Sequence, residues 1–478
     1  MNFRIISYVL GWALNIEAVC MFLPFVCAIA YNETAKWVFP LCAFLCAVIG
    51  IPLTLINRKQ KNMYAKEGFV AVALSWIVIS IFGALPFVVS GVIPSFIDAV
   101  FETASGFSTT GASILADVEI LPKSMLLWRN FTHWIGGMGV IVFLVAILPV
   151  AGGNNLHLIK AESPGHSVGK LVPKVRSTAK ILYLIYIGFT VLEMIILLIG
   201  GLDLFEASTL SFGTAGTGGF SIRNSGIADY TPFVQNTITV FMIIFGVDFS
   251  FYYLILMRKI KTAFKMEEVL SYFSIILLAI TLIAFNINSM YGSVTETIKH
   301  SAFQVGSIIT TTGYATCNFD QWPQFAKTIL VLLMFCGACT GSTGGGIKVS
   351  RITLLFKSII KEIKVLTHPK STVKVKYNGR VLEHETLRGI NVFFVAYMLI
   401  FAGALLIISL DNFDFTTSFT AVAATLSNIG PGLAKVGPAC NFSLFSPLSK
   451  IVFTIIMLVG RLEIFPMLVL LSKRTWKR

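Results

Sequence analysis

The chain has 478 residues, of which 56 % are hydrophobic and only 13 % are charged. A soluble protein of this length carries roughly a quarter charged residues, so this composition excludes an ordinary soluble domain and indicates a polytopic membrane protein. The net charge of +14 does not indicate nucleic-acid binding, because most Lys and Arg residues fall in alternate loops, as the positive-inside rule expects of cytoplasmic loops.

Ten apolar segments are long enough to cross a bilayer, which takes about 20 residues. They are predicted at 5–30, 37–56, 68–91, 124–150, 179–200, 233–257, 270–290, 326–360, 388–410 and 450–472. The first segment is too long for the apolar region of a signal peptide, and Arg4 is the one basic residue before it. We therefore expect a retained helix. An even number of spans with basic loops inside predicts that both termini are cytoplasmic.

Four shorter semi-apolar segments lie between the later spans and are too short to cross a membrane. They cover 94–107, 203–212, 294–309 and 414–426. Each suits a re-entrant helix followed by a loop, which is tolerated at membrane depth only inside protein or beside a wet cavity. We therefore predict an all-α polytopic membrane protein in which four helix–pore-loop–helix repeats surround one pore, with an additional N-terminal two-helix hairpin. The expected boundaries are 1–66 for the hairpin and 67–175, 176–266, 267–380 and 381–478 for the repeats.

Each short segment ends in a similar glycine motif, at 108–112, 216–220, 310–314 and 427–431. Glycine adopts positive φ without a Cβ clash, and a ring of backbone carbonyls can replace the water shell of a cation. One such glycine could be only a turn, but four at matching places favour an ion filter. The candidate cation-binding residues are Thr109, Thr110, Gly111, Thr217, Gly218, Gly219, Thr311, Thr312, Gly313, Asn428, Ile429 and Gly430. The second and fourth motifs depart from Thr-Thr-Gly, which leaves the discrimination between K⁺ and Na⁺ open.

A glycine-rich run at 337–347 interrupts the eighth apolar segment. A continuous helix over 326–360 would be about 50 Å long, too long for one crossing, and interior glycines cost about 1 kcal/mol each relative to Ala. We expect a broken helix with a loop below the filter; the alternative is a kinked packing helix. The glycines singled out in this loop are Gly341, Gly344, Gly345 and Gly346. A phosphate-binding loop is rejected, because Ile347 separates the last glycine from Lys348.

Arg461 lies in the middle of the tenth segment, where an arginine costs at least about 2.5–3.5 kcal/mol on insertion scales. It therefore needs a partner or a wet cavity. Two interpretations stay open: a structural pairing with Glu463 or backbone carbonyls, or a charge that faces the pore and contacts the glycine-rich run. Acidic residues near the short segments have two interpretations as well, helix capping or placement at the outer mouth; they are Asp98, Glu102, Asp203, Glu206 and Asp414.

These four glycine motifs and the repeated pattern around them resemble the Trk/Ktr/HKT superfamily of potassium transporters. The N-terminal hairpin and the absence of a large soluble domain in the sequence resemble its TrkH and TrkG branch rather than KtrB. The resemblance implies that Gly111, Gly219, Gly313 and Gly430 are filter glycines, that K⁺ is the transported ion, and that 337–347 and Arg461 form a gate.

The resemblance further implies a homodimer in the bacterial inner membrane, docked on a cytosolic TrkA-type nucleotide-binding regulatory subunit. The alternative within the same superfamily is a Na⁺-permeable or Na⁺/K⁺-coupled transporter. We expect no enzymatic activity, because the sequence supplies no acid–base or metal cluster, and we expect no tightly bound cofactor. Cys317 and Cys440 both follow a glycine motif, and whether they form a disulfide is left open.

Overall fold

The computed structural model describes residues 1–55, 65–137, 139, 175–370, 372–382 and 384–476. Most of two basic segments expected on the cytoplasmic side, 57–67 and 157–180, lies outside this part of the chain. The described residues are mainly helical, which confirms the predicted fold class. The β-structure within them is one small antiparallel hairpin, in which β1 (Lys376–Tyr377) pairs with β2 (Arg380–Val381).

Three helices precede the repeats: α1 (Phe3–Cys20), α2 (Phe22–Ala30) and α3 (Val38–Leu55). Helices α1 and α3 approach closely at two glycines. A Cβ atom on Gly11 would lie 2.7 Å from the carbonyl oxygen of Gly50, so a larger side chain would force the helices apart. Small residues at such crossings are typical of membrane helices, since lipid provides no hydrophobic force to bring them together.

The rest of the chain repeats a first helix, a shorter pore helix and a second helix. The first helices are α4 (Ala65–Gly83) with α5 (Leu85–Val89), α8 (Val175–Ile199), α13 (Glu267–Ile287) and α17 (His384–Ile408). The pore helices are α6 (Phe96–Phe107), α9 (Leu204–Gly216), α14 (Val294–Ile309) and α18 (Phe415–Leu426). The second helices are α7 (Lys123–Gly137), α10 (Pro232–Phe245) with α11 (Phe249–Leu256), α15 (Gln324–Cys336) with α16 (Val349–Thr367), and α19 (Pro447–Arg461) with α20 (Phe465–Leu471). Minor elements are α12 (Ile260–Ala263), α21 (Lys473–Trp476) and 3₁₀ turns at Asn288–Met290, Phe319–Gln321, Ser409–Asp411 and Ala434–Val436.

All four pore helices begin in the same way. The preceding residue accepts a hydrogen bond from a first-turn amide through its side chain, which satisfies one of the orphan donors of the helix. These caps are Ser95, Asp203, Ser293 and Asp414. Each pore helix therefore has a start that is fixed by its own sequence.

The helices close into a ring. The second helix of each repeat packs against the pore helix of the next repeat: α7 against α9, α10 against α14, α15 against α18, and α19 back against α6. The last of these contacts joins the end of the chain to the first repeat. The four pore helices therefore surround a single axis.

The ten predicted spans are not all continuous. Six described helices or joined helices are long and apolar enough to cross a membrane: Phe3–Ala30, Val38–Leu55, Lys66–Val89, Lys180–Ile199, Glu267–Met290 and His384–Asp411. The prediction of one unbroken helix over 233–257 is wrong, because α10 and α11 are bent by 88°. The helix predicted over 450–472 is interrupted too, where Glu463 and Ile464 take φ of 55° and 72°. The eighth span breaks between α15 and α16, and residues 138 and 140–150 of the fourth lie outside the described part.

Candidate ion filter and intramembrane loop

The four glycine motifs share one backbone conformation. Two residues before each glycine, a non-glycine residue takes the left-handed conformation: Thr109 (φ 56°), Thr217 (54°), Thr311 (60°) and Asn428 (57°). Such a conformation is uncommon outside glycine. The motif glycines follow with φ of 77° at Gly111, 74° at Gly219, 84° at Gly313 and 97° at Gly430. Four loops of different sequence thus adopt the same fold.

These loops, named filter loops 1 to 4 in chain order (109–111, 217–219, 311–313 and 428–430), touch one another in a closed cycle. A Cβ atom on each glycine would run into the carbonyl oxygen of the residue before the glycine in the next loop. The distances are 1.9 Å from Gly111 to Gly218, 1.9 Å from Gly219 to Thr312, 2.0 Å from Gly313 to Ile429 and 2.8 Å from Gly430 to Thr110. Each glycine is therefore required for space as well as for its φ, and loop 4 closes on loop 1.

Side-chain hydroxyls tie loops 1 and 3 in the same way. The hydroxyl oxygens of Ser108 and Thr110 are 2.7 Å apart, and those of Thr310 and Thr312 are also 2.7 Å apart. In loop 4 the Nδ2 atom of Asn428 donates to Oγ1 of Thr110 at 2.9 Å, which joins the last loop to the first. All of these side chains are buried, so the loops are held by protein rather than by solvent.

The electrostatics of this arrangement favour a cation. Each filter loop lies at the carboxyl end of a pore helix, where the helix macrodipole places a partial negative charge. The carbonyl oxygens of Thr110, Gly218, Thr312 and Ile429 add four further dipoles. No group of three or more His, Cys, Asp or Glu residues that could hold a metal ion is found in the described part of the chain. Cation binding at the loops would therefore rest on backbone oxygens.

A cavity of about 200 Å³ lies at the filter loops and is lined by all four motif glycines. Two further segments line this cavity, around 115–118 and 221–226. A hydrogen bond joins them, in which Nδ2 of Asn224 donates to Asp117 at 2.7 Å. This hydrogen bond lowers the pKa of the exposed Asp117 carboxyl below its usual value. The sulfhydryls of Cys317 and Cys440, also beyond the filter loops, are free.

Of the five acidic residues near the pore helices, two cap a helix, which was one of the two interpretations that the sequence left open. Asp203 and Asp414 cap helices. The other three lie beside basic partners: Asp98 is 2.8 Å from Lys450, Glu102 is 2.8 Å from Arg129, and Glu206 is 2.7 Å from Arg223. Only the Glu102–Arg129 pair is almost fully buried, and it lies behind the first filter loop.

The glycine-rich run forms a loop that touches the filter loops directly. The amide of Gly345 donates to Oγ1 of Thr311 at 2.7 Å. A Cβ atom on Gly344 would lie 2.9 Å from the carbonyl oxygen of Thr310, and one on Gly345 would lie 2.7 Å from that of Ser427. The loop therefore lies against the bases of loops 3 and 4, in space that admits no side chain.

A buried carboxylate anchors both ends of this intramembrane loop. Glu268, near the start of α13, accepts hydrogen bonds from the amides of Thr340 at 2.5 Å and Ser350 at 3.2 Å. Lys348 also donates to the carbonyl oxygen of Gly344. Glu268 was not predicted from the sequence, although an acidic residue at the end of an apolar span indicates a specific partner. Asp248, by contrast, caps α11 through the amide of Ser250 at 2.8 Å.

Arg461 reaches the same loop from α19. Its guanidinium donates to the carbonyl oxygen of Thr343 at 2.7 Å, to that of Gly137 at 2.7 Å, and to that of Gly136. Glu463 lies beside Arg351, with which it forms an ion pair. A smaller cavity of about 80 Å³ below the loop is lined by Arg461 together with Gly341, Gly344, Gly345 and Gly346. The structure thus brings together all five residues assigned to the candidate gate.

A helical membrane protein whose four pore loops form one ring belongs to a class that carries cations across membranes. The model of the TrkH family, described as cation transport protein, matches residues 37–477. The chain belongs to this family, which confirms the superfamily resemblance of its sequence.

Relatives match over the full length of the chain. It is 37 % identical to the Trk system potassium uptake protein TrkH of Escherichia coli strain K12, with complete coverage of both chains. It is 30 % identical to the Trk system potassium uptake protein TrkG of the same organism, covering 99 % of each. The crystal structure of the potassium transporter TrkH from Vibrio parahaemolyticus superposes with a TM-score of 0.90 at 33 % identity, again over both complete chains.

Proposed function

We propose that this protein takes up K⁺ across the bacterial inner membrane through the four filter loops. The observation that carries the proposal is the closed cycle in which the carbonyl before each glycine abuts the glycine of the neighbouring loop. Such a ring supplies oxygen ligands to a dehydrated cation without a charged side chain. The names of its relatives, which are potassium uptake proteins, support K⁺ as the ion.

In this proposal the cation enters the outer cavity, loses water at the filter loops and meets the intramembrane loop beneath them. That loop obstructs the path, because Gly344 and Gly345 lie against the filter bases. Arg461 places a positive charge on the same loop, which opposes the passage of a cation. Opening therefore requires that the 337–347 segment move away from loops 3 and 4. We also propose that the four repeats that form this path span 67–175, 176–266, 267–380 and 381–478.

We further propose that both termini are cytoplasmic and that a homodimer binds a cytosolic TrkA-type nucleotide-binding regulatory subunit. The support is a basic face on the segment that follows the intramembrane loop. Lys364, Lys370 and Lys374 are exposed there, and α16 joins them directly to the proposed gate. A subunit bound at this face could pull on the loop through one helix. Some of these charges also meet anionic lipid headgroups.

A Na⁺-permeable or Na⁺/K⁺-coupled transporter is the second candidate, and one observation favours it. A Cβ atom on Gly430 would lie 2.8 Å from the carbonyl oxygen of Thr110, whereas a Cβ atom on each of the other three glycines would lie 1.9–2.0 Å from its carbonyl, so the contact between loops 4 and 1 is wider. A ring with one looser quadrant holds its carbonyls less uniformly. Discrimination between two monovalent cations depends on the number and placement of those oxygens.

The test is cation flux into proteoliposomes that contain the purified full-length chain, with K⁺, Rb⁺, Na⁺ and Li⁺ compared. We expect K⁺ and Rb⁺ to enter faster than Na⁺ and Li⁺. Liposomes with the Gly219→Asp variant are the matched control, since a carboxylate side chain there occupies the space of the Thr312 carbonyl. Equal flux of wild type and this variant would contradict the filter, and Na⁺ flux equal to that of K⁺ would favour the second candidate.

A further inference from the structure

Filter loop 2 differs from loops 1 and 3 at two positions. It has glycine at 216 and 218, where loop 1 has Ser108 and Thr110 and loop 3 has Thr310 and Thr312. The two hydroxyl pairs that tie loops 1 and 3 therefore have no counterpart in loop 2. A different support must hold the second quadrant of the ring.

His133 occupies the space of the missing side chains, with its imidazole at position 218 and its backbone carbonyl at position 216. A Cβ atom on Gly218 would lie 2.2 Å from both Cγ and Nδ1 of His133. A Cβ atom on Gly216 would lie 2.3 Å from the carbonyl oxygen of the same residue. Both glycines are therefore required by one residue of α7. No threonine could take position 218 while the imidazole is present, and the backbone of His133 excludes one from position 216.

Two hydrogen bonds fix the orientation of this ring, which is fully buried. Nδ1 is 2.8 Å from the carbonyl oxygen of Gly106, which can only accept, so Nδ1 carries the proton. Nε2 accepts a hydrogen bond from the amide of Phe220 at 3.3 Å. A neutral imidazole satisfies both partners at once. The ring thus connects pore helix α6 of repeat 1 to the end of filter loop 2.

Phe220 is held further by aromatic contacts. Its ring centroid is 4.2 Å from that of His133, and the guanidinium carbon of Arg129 lies 4.0 Å from the same centroid. His133 therefore contacts the residues on both sides of Gly219, namely Gly218 and Phe220. These contacts fix Gly219 against the carbonyl oxygen of Thr312, which is the next contact in the cycle of filter loops.

We propose that His133 is the positioning residue of filter loop 2 and that it sets the cation discrimination of the second quadrant, replacing the hydroxyl pair of loops 1 and 3. This inference rests on the proposed function, because it assigns a role in a cation filter. It concerns a side chain that contributes no ligand to the ion. The effect of His133 passes through the backbone of Gly218 and Phe220.

The first test is the His133→Asn variant of the full chain in proteoliposomes. The Asn side chain keeps a donor that can face Gly106 but lacks an acceptor that reaches Phe220. We expect the variant to accumulate normally, while its K⁺-to-Na⁺ flux ratio falls about fivefold, the effect of one lost hydrogen bond. His300→Asn is the matched control: His300 bonds the Thr316 hydroxyl through Nδ1, and its variant should keep the wild-type ratio. A wild-type ratio in His133→Asn overturns the proposal.

The second test first creates and then removes a steric clash between the His133 imidazole and filter loop 2. Gly218→Ala alone places a methyl group in the space that the His133 imidazole occupies, and we expect K⁺ flux to fall about tenfold. Adding His133→Ala removes the ring, so the double variant should recover much of the flux without recovering the K⁺-to-Na⁺ ratio. A double variant that is no faster than Gly218→Ala, at equal protein in the membrane, overturns the proposal.

A third measurement separates this inference from the proposed function. The thermal unfolding midpoint of each purified variant is compared in K⁺ and in Na⁺, which reports cation binding without transport. Wild-type protein that conducts no K⁺ defeats the proposed function. In that case a K⁺-specific midpoint shift that is present in wild type and absent in His133→Asn still supports the inference. A shift that persists in the variant, or that wild type itself lacks, overturns it.

Discussion

The amide of Gly345 donates a hydrogen bond to the side-chain hydroxyl of Thr311, over 2.7 Å. This bond joins the intramembrane loop to filter loop 3, so the two parts of the proposed pathway are in direct contact. In the proposed mechanism, a movement of the loop that opens the path must break this bond. Thr311 would then serve both parts, with its backbone in the proposed filter and its hydroxyl bonded to the loop beneath.

Thr311→Ala should increase basal K⁺ flux through the isolated protein, because Gly345 loses its acceptor and the loop is held less firmly. Thr311→Ser keeps the hydroxyl and should stay close to wild type. The measurement is proteoliposome flux without any added cytosolic subunit. Alanine and serine variants with equal flux would show that the hydroxyl does not restrain the loop.

Substitution of the motif glycines by serine should lower K⁺ uptake in cells that lack their own K⁺ transporters. The severity should follow the space at each position. Gly111, Gly219 and Gly313 face a carbonyl oxygen within 2.0 Å of the new Cβ, whereas Gly430 has 2.8 Å. We therefore expect Gly430→Ser to retain the most uptake. Normal, K⁺-selective uptake in two or more of the four variants would rule out the four-loop filter.

Glu268→Ala should destabilise the intramembrane loop from both ends, since the amides of Thr340 and Ser350 lose their shared acceptor. Each hydrogen bond to a charged group contributes about 1.5–3 kcal/mol, so we expect a clear fall in the thermal unfolding midpoint together with higher basal flux. The neighbouring Glu267, which pairs with Lys357 at the surface, provides the control. Glu267→Ala should cost no more than about 1 kcal/mol. Similar effects of the two variants would argue against an anchor at Glu268.

Arg461→Ala should increase basal flux, as should deletion within 341–346, because each change removes part of the obstruction below the filter. Arg461→Lys keeps the positive charge but cannot reproduce three hydrogen bonds to carbonyls of separate segments. We expect its flux to lie between those of wild type and Arg461→Ala. Unchanged or lower flux from correctly folded alanine variant would assign Arg461 a purely structural role.

The combined variant Lys364→Gln, Lys370→Gln and Lys374→Gln should weaken capture of a TrkA-type subunit by the purified chain. The exposed basic residues Lys259, Lys261 and Lys265 follow another second helix, and their combined glutamine variant is the charge-matched control. We expect the chain to be dimeric in mild detergent. A monomer whose flux is indifferent to the added subunit and nucleotide would contradict the proposed partnership.

The regular features of the fold were predictable from local sequence. Caps such as Asp203 and Asp414, apolar lengths and glycine motifs each depend on neighbouring residues only. The break between α10 and α11 was harder to predict, because no proline lies there and only Gly246 precedes it. Its cause is tertiary, since the carbonyl oxygen of Gly246 accepts a hydrogen bond from the amide of Cys339 in the intramembrane loop. The break at 462–464 lies between Gly460 and Pro466, which were local signals for it.

The filter residues were predictable as a set, but their supports were not. Gly218 departs from the threonine of its counterparts for a reason that lies in α7, far away in sequence. Likewise nothing around Glu268 indicates that it bonds both ends of a loop more than 70 residues later. Repetition within one chain shows which residues occupy matching positions in the filter loops. The side chains that support those loops come from a different repeat, and they become visible only in three dimensions.

The cyclic contact between filter loops 4 and 1 has a consequence for biogenesis. The Asn428–Thr110 hydrogen bond joins residues 318 positions apart, and α19 must also be in place to pack against α6. A nascent chain inserted as far as the third repeat therefore contains three quarters of the ring and an incomplete candidate cation site. The ring can close only when the last repeat has entered the membrane.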